Sequence, residues 1–482
     1  MKIIQVVDGY KKGDGVGNVV ASMDEFFKKN GYDAQICNRQ LEYEDIDSSI
    51  FGNDTVVFYH LALLADPVIK HLKCKKVLVF HNITEPDLLE GTDEEKRIWC
   101  SSGLYDAART AEYFDAAVTF SEYSRKCLVE MGWRPENITV LPILVRFRHL
   151  STEPSEEIVK KYRDGSINIL FTGRVYPNKK HEDIIAAYAA YKKRYHADAR
   201  LFLVGSISSG NYYPSLLAYA KKLGVSEDVV FTGHVPFKEY LAYFHIADVY
   251  LCMSAHEGFC IPLIEAMYFN IPIIAHASTA VPDTLAGSGV LVYSRDPETV
   301  AGTINTVVED RAYRQEILAG QENREKQLLP ETLEGQYLQA LENIVDRLKS
   351  EKGSPVEKGN DACRFSLVHN LSMQLGRFSP YGRKVVVYGA GAAGMRLYKG
   401  LKNDCPEGEL LLCDSHKAGA FDTEAGCRIV SPEEAVCQGK ESVFIISVQD
   451  KRAMLEIVSF LIGCGVRKEQ IALYDKLNHQ IL

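Results

Sequence analysis

Ser254-Ala255-His256-Glu257-Gly258-Phe259-Cys260-Ile261-Pro262-Leu263-Ile264-Glu265-Ala266-Met267 lies between two short apolar runs, Val249 to Ser254 and Ile271 to His276. Both runs read as strands. Pro262 suits the first turn of a helix, where its missing N–H costs nothing. Strand, loop, helix, strand is the signature of a parallel sheet, because two strands joined through a helix point the same way. The amides of the Gly-Phe-Cys-Ile segment are left pointing outward at the positive end of that helix, which makes an anion site. Glu265 falls in the first helical turns, where its carboxylate can accept hydrogen bonds from hydroxyl groups. Glu257 sits on the loop eight residues earlier, and the spacing predicts that it faces the same crevice.

The same alternation of Val/Ile/Phe-rich runs with amphipathic stretches extends along the whole chain and predicts an α/β protein of three blocks. The first, residues 1–150, has strands at Lys2 to Asp8, Asp33 to Cys37, Thr55 to His60, Lys76 to His81, Ala116 to Ser121 and Ile138 to Leu144. The second, residues 151–350, has them at Ile167 to Arg174, Arg200 to Ser206, Val229 to Val235, Val249 to Ser254, Ile271 to His276 and Gly289 to Tyr293. A helix over residues 331–349, with Leu333, Tyr337, Leu338, Leu341, Ile344, Val345 and Leu348 at helical spacing, closes it. Residues 350–360, with Gly353, Pro355 and Gly359 among charges, read as a linker to a third block, residues 361–482.

Several loops at predicted strand ends carry chemistry. Gly173-Arg174-Val175-Tyr176-Pro177-Asn178-Lys179 follows the first strand of the second block and offers two cations. Gly205 and the turn Thr232-Gly233-His234-Val235 end the next two strands. In the first block, Lys11 to Asn18 holds Gly13, Gly15 and Gly17, which allow close approach to a phosphate or sugar, and His81 ends a parallel strand, where open sheets bind ligands.

In combination these motifs resemble the retaining GT-B glycosyltransferases of family 4, also called glycosyl transferases group 1. The Glu-x7-Glu pattern of Glu257 and Glu265, the Gly-Arg-x4-Lys loop of Gly173, Arg174 and Lys179, Gly205 and the His234-Val235 turn follow in the order of that family through the second block. The resemblance implies a GT-B fold of two Rossmann-like domains facing a cleft. It implies that Glu257 and His81 contact the donor sugar, Arg174 and Lys179 bind the diphosphate, Glu265 holds the ribose and His234-Val235 reads the base. Gly15, Gly258, Phe259, Cys260 and Ile261 complete the implied donor site. Fixed cations stabilise a leaving diphosphate more in the transition state than before it, so no metal is implied. The acceptor implied is a hydroxyl of a glycan, glycolipid or glycoprotein. One departure stands out. The family usually has a second glycine where this chain has Cys260, which leaves the sugar open.

The third block opens with the strand Lys384 to Tyr388, followed by Gly389-Ala390-Gly391-Ala392-Ala393-Gly394 and a second strand ending at Asp414. That is a dinucleotide-binding fingerprint with its ribose-binding acid, so an NAD-like nucleotide is expected on Gly389, Gly391, Gly394 and Asp414, or else the block is an empty interaction module. Two rival functions follow: an NAD-dependent oxidoreductase or epimerase centred on residues 383–482, or a sugar-nucleotide sensor without catalysis.

Composition narrows the field. A net charge of -9 without basic clusters speaks against nucleic acid. Twelve cysteines without a C-x-x-C pair fit free thiols in a reducing compartment rather than a zinc or thioredoxin-like motif. The short apolar start predicts a cytoplasmic protein, in contact with the inner membrane face only peripherally, and leaves the sequons at Asn53, Asn82, Asn137 and Asn370 without meaning. Asp45-Ile46-Asp47 has the spacing of metal-dependent transferases but lies in a polar loop without companion ligands.

Overall fold

The computed structural model describes residues 2–8, 10, 15–39, 51–52, 54–63, 69, 72, 74–207, 210–349, 384–404, 409–423, 426–438, 442–448, 451–467, 470–475 and 480–481. Lys11 to Asp14, Asp45-Ile46-Asp47 and the 350–360 linker lie outside them. The described residues divide between two compact units. One lies within Met1–Ala62, His71–Glu94 and Ala111–Glu357, the other within Leu63–Lys70, Glu95–Thr110 and Lys358–Leu482.

The first unit carries two six-stranded sheets. Strands β1 (Lys2–Asp8), β2 (Asp33–Arg39), β3 (Thr55–Leu61), β4 (Lys75–Phe80), β5 (Ala116–Thr119) and β6 (Ile138–Val140) form the order β2-β1-β3-β4-β5-β6. All pairs are parallel. β6 stops well short of the expected Leu144, because Pro142 has no N–H for a ladder. Strands β7 (Asn168–Thr172), β8 (Arg200–Val204), β9 (Val229–Gly233), β10 (Val249–Cys252), β11 (Ile273–His276) and β12 (Val290–Val292) form the order β12-β11-β10-β7-β8-β9, also parallel. Buried strands such as TVVFYHL read as unbroken apolar runs because helices cover both faces.

In each sheet the strand order reverses once, between β1 and β3 and between β7 and β10. Ligands of open α/β sheets bind outside the carboxyl ends of the strands at such switch points. The helices include α1 (Gly15–Lys29), α2 (Glu94–Thr110), which from Glu95 on belongs to the second unit, α3 (Glu122–Glu130), α4 (Phe147–Leu150), α5 (His181–Arg194), α6 (Phe237–Ile246), α7 (Ile261–Tyr268) and α8 (Pro330–Lys349). Ser121 caps α3 by accepting the Ser124 N–H at 3.1 Å. Although α8 follows the second sheet, it is tied to the first. Tyr337 donates its hydroxyl to the Pro142 carbonyl at 2.6 Å, its ring meets Phe26 edge-on, and Glu334 pairs with Lys29.

The second unit holds β13 (Val385–Tyr388), β14 (Leu410–Cys413), β15 (Phe421–Asp422), β16 (Cys427–Val430), β17 (Val443–Ile446), β18 (Ile471–Asp475) and β19 (Gln480–Ile481) in the order β15-β16-β14-β13-β17-β18-β19. Its middle is parallel and its two edge pairs are antiparallel. Gly389 to Gly391 turn into helix α9 (Ala392–Asp404). A Cβ on Gly394 would stand 1.7 Å from the Gly389 carbonyl oxygen, so only glycine lets α9 come this close to the strand end.

Candidate active site

A cavity of about 770 Å³ opens at the carboxyl ends of β7, β8 and β9, a volume usual for small-molecule sites. Its walls include Gly15 and Asn18 of α1, Arg146 and His149, Gly173-Arg174, Gly205, His234-Val235, Phe237 and Tyr240 of α6, and Ile261, Pro262 and Glu265 of α7. A close approach shapes it. Gly205 has φ +155°, and a Cβ there would meet the Gly173 carbonyl oxygen at 2.1 Å. Glycine at both strand ends is what brings the Arg174 loop against β8.

Arg174 is exposed on this wall and forms no ion pair with any described residue. Across the cavity, Tyr240 donates its hydroxyl to Glu265 Oε2 at 2.5 Å. Burial raises the Glu265 pKa to about 7, and the tyrosine bond offsets only part of that push. The Phe237 ring, 45% exposed, stacks on Tyr240 with centroids 6.1 Å apart and planes at 17°. No side chain caps the start of α7, so its first amides are not taken by a capping group.

Glu257 and Lys179 lie together at the loop before α7. They are not among the residues lining this cavity; Lys179 Nζ donates to Glu257 Oε1 at 2.6 Å. Burial works against the Lys179 charge, the neighbouring Glu257 carboxylate favours it, and the ammonium's pKa ends raised. The Glu257 backbone N–H donates to Thr279 Oγ1 at 2.8 Å. Between the two acids, Cys260 has φ +78°, a left-handed conformation that costs a residue with a β-carbon roughly 1–2 kcal/mol. Gly258 needs its lack of a side chain, because a Cβ would lie 2.5 Å from the His81 carbonyl oxygen.

Gly258 also ties the two sheets of the first unit together, since Ser121 Oγ donates to its carbonyl at 3.0 Å and the Tyr123 N–H meets Asp283 Oδ2 at 2.9 Å. His81 follows the last residue of β4 and lies beside this contact. Its Nε2 lies 2.9 Å from His60 Nδ1, and His60 Nε2 lies 3.0 Å from Gln5 Oε1. Burial pushes the His81 pKa to about 3 and lowers that of His60 well below normal, so both rings are neutral near pH 7.

The sequence missed Arg146 and His149, which enter the cavity from the segment after β6, and the Phe237-Tyr240 pair of α6. No motif surrounds the first two. The i, i+3 spacing of the aromatics was the available sign of the other pair.

Residues 154–324 match the family described as Glycosyl transferases group 1. This stretch is a glycosyl transferases group 1 domain. It contains Gly173, Arg174, Lys179, Gly205, His234, Glu257, Cys260 and Glu265. Among curated proteins, the chain is 27% identical over 215 residues to a GDP-mannose-dependent alpha-(1-6)-phosphatidylinositol monomannoside mannosyltransferase of Mycobacterium tuberculosis, covering 42% of this chain and 55% of that protein. It is 32% identical over 152 residues to a D-inositol 3-phosphate glycosyltransferase of Segniliparus rotundus, covering 31% of each. The chain thus spans about half the length, or less, of these two relatives. Among solved structures, Anabaena Alr3699/HepE in complex with UDP and glucose superposes with a TM-score of 0.57 at 16% identity, covering 71% of this chain and all of that one. Sucrose-phosphate synthase from Thermosynechococcus elongatus gives 0.55 at 17% identity, covering 72% of this chain and 99% of that one. These likenesses establish the GT-B fold of the first two sheets. Outside the group 1 domain, the second unit's sheet is a small α/β addition.

Proposed function

We propose that the chain is a glycosyltransferase that moves a sugar from a nucleotide-diphosphate donor to a hydroxyl of a glycan, glycolipid or glycoprotein, with retention and without a metal. The observation that carries this reading is that Arg174 and Glu265, both of the group 1 domain, line one cavity. In this reading the diphosphate lies against Arg174 and the start of α7, where a cation and unpaired amides stabilise the charge that grows as the sugar leaves. Glu265 holds the ribose, and the base lies by His234-Val235 against the Phe237 ring. Lys179 and Glu257 act as a unit, the ammonium toward the phosphates and the carboxylate toward the sugar, with His81 beside Gly258. The acceptor hydroxyl attacks from the face the diphosphate leaves, and the diphosphate oxygen takes its proton. The reading places the enzyme in the cytoplasm, touching the inner membrane face peripherally when its acceptor is lipid-linked. Among the described residues no helix is long and apolar enough to cross a membrane.

The test is a panel of nucleotide sugars led by GDP-mannose, the donor named for the Mycobacterium tuberculosis relative, and UDP-glucose, with which Anabaena Alr3699/HepE was also solved. A true donor raises the unfolding temperature and is consumed with acceptor. Protection by no nucleotide sugar, or protection without turnover, would overturn the enzyme in favour of an inert fold or a sensor.

A second reading concerns the second unit. Asp414 accepts the Ala390 N–H at 2.7 Å and the His416 and Lys417 N–H groups at 2.8 and 3.1 Å. Burial alone would raise its pKa, but these bonds win and leave it lowered, so the acid is ionised beside the glycine loop. Gly391 faces open space. That supports a nucleotide-binding role for Gly389, Gly391, Gly394 and Asp414, and with it the oxidoreductase alternative. Titration of the full chain with NADH, read by fluorescence, decides it; no binding means an interaction module.

A further inference from the structure

We infer that Cys252, Glu257 and Cys260, none of them lining the cavity, form a binding site for a thiophilic divalent cation of the zinc class that shares Glu257 with the proposed donor site. The two sulfurs and a Glu257 carboxylate oxygen all lie within 4.8 Å of one another, and all three residues are buried. Ligand atoms of a tetrahedral zinc site stand roughly 3.5–3.8 Å apart, as follows from bonds of about 2.3 Å to sulfur and 2.0 Å to oxygen, so small side-chain rotations close the set. Three protein ligands leave a fourth position for water. Cys252 is anchored at the end of β10, whereas Cys260 is held at φ +78°, where glycine would be strain-free. A side chain kept at such a position points to a use for its thiol.

Charge supports the same conclusion. Lys179 already stands at the cluster, a cation held on Glu257 Oε1 at 2.6 Å. Binding follows M²⁺ + 2 Cys–SH → M(S–Cys)₂ + 2 H⁺, with no change of oxidation state. The product, two thiolates, one carboxylate, one ammonium and M²⁺, is neutral overall, as is the metal-free cluster, so the buried site gains no net charge. Occupation draws Glu257 away from Lys179. Its effect on transfer, an inhibition, rests on the donor-site reading above; the binding itself does not.

The experiment is titration of the full chain with Co²⁺ under a non-thiol reductant. The expected result is a cobalt–thiolate charge-transfer band with tetrahedral visible bands, displaced by Zn²⁺. The apparent affinity should rise about 100-fold per pH unit while two protons are released. Cys252→Ala and Cys260→Ala should each abolish the band with unchanged far-ultraviolet circular dichroism, whereas Cys437→Ala, at an exposed cysteine, should keep it. Should either buried-cysteine variant fail to fold, Lys179→Met serves instead, with binding about tenfold tighter once the competing cation is gone. Absence of the band, its survival in both folded cysteine variants, or unchanged affinity in Lys179→Met overturns the site. A chain that binds cobalt but uses no nucleotide sugar sinks the donor reading and leaves this one intact.

Discussion

His81 Nε2 and His60 Nδ1 stand 2.9 Å apart, and a third residue decides which of them holds the proton. Gln5 donates its Nε2 to the Val20 carbonyl at 3.1 Å, so its Oε1 is the acceptor at 3.0 Å from His60 Nε2. His60 therefore carries its proton on Nε2, its Nδ1 accepts from His81 Nε2–H, and His81 Nδ1 is left as a lone pair. Residues at the ends of neighbouring parallel strands thus fix the tautomer of a ring beside Gly258.

Gln5→Leu breaks this chain at its buried start. Leaving His60 without its acceptor costs about 1–3 kcal/mol, read as a lower urea midpoint. If His81 contacts the sugar, kcat should drop while KM for the nucleotide changes little. A variant as stable and active as the parent would refute the tautomer assignment.

Acid should weaken the fold early. His60, His81, His181 and His256 all have lowered pKa values, the last three about 3, 3 and 4, because burial disfavours the imidazolium. The unfolded chain then binds more protons than the folded one below pH 6.5. Each imidazole's contribution is complete above 6.5 and is lost as pH falls toward the folded values, at about 1.4 kcal/mol per pH unit per histidine. Unfolding temperature measured from pH 7.5 to 4.5 should fall steeply below 6.5; a flat profile would contradict the burial of these rings.

Gly258→Ala puts a methyl group 2.5 Å from the His81 carbonyl oxygen, a backbone atom that cannot swing aside. The strain, about 1–3 kcal/mol, falls on the contact between the two sheets of the first unit. Transfer should drop with the unfolding temperature only modestly lowered, and an alanine variant with parental kinetics would show that this contact is not needed.

Much of this was legible beforehand, for reasons that differ by element. The buried strands announced themselves because both faces are covered, so runs such as Val56 to Tyr59 have no polar positions to confuse them. The short pairs β15 and β16, and β19, lacked that signal: Phe421–Asp422 and Gln480–Ile481 are two-residue edges whose pairing depends on what lies beside them. Glycines proved informative where the backbone comes close, at Gly205 and Gly394, which sequence spacing could locate but not measure. Spacing put Glu257 and Glu265 on one crevice. What spacing could not give was the first acid's partners: its amide is held by Thr279 and its carboxylate by Lys179.

That pairing of Lys179 with Glu257 makes single substitutions informative. Glu257→Ala leaves a largely buried ammonium uncompensated and should cost about 3–5 kcal/mol of stability, besides lowering transfer by about 100-fold or more. Lys179→Met with Glu257→Gln removes both charges and should restore most of the stability but none of the activity. Stability restored together with activity would mean that the pair is structural only.

Glu265 offers the sharpest pH test. Its carboxyl pKa is raised to about 7, so between pH 4.5 and 7 the folded chain holds a proton that the unfolded chain has lost, and the group's contribution to stability declines as pH rises through that window. Glu265→Gln removes the decline, and the variant should gain on the parent by about 1–3 kcal/mol at pH 8 relative to pH 5. Binding of a nucleoside diphosphate should run the other way. The ionised carboxylate accepts two ribose hydroxyls where the protonated form accepts less well, so Kd measured by calorimetry should tighten from pH 6 to pH 8 in the parent and stay level in the variant. A parent Kd that weakens with pH, or a variant that follows the parent, removes Glu265 from the ribose.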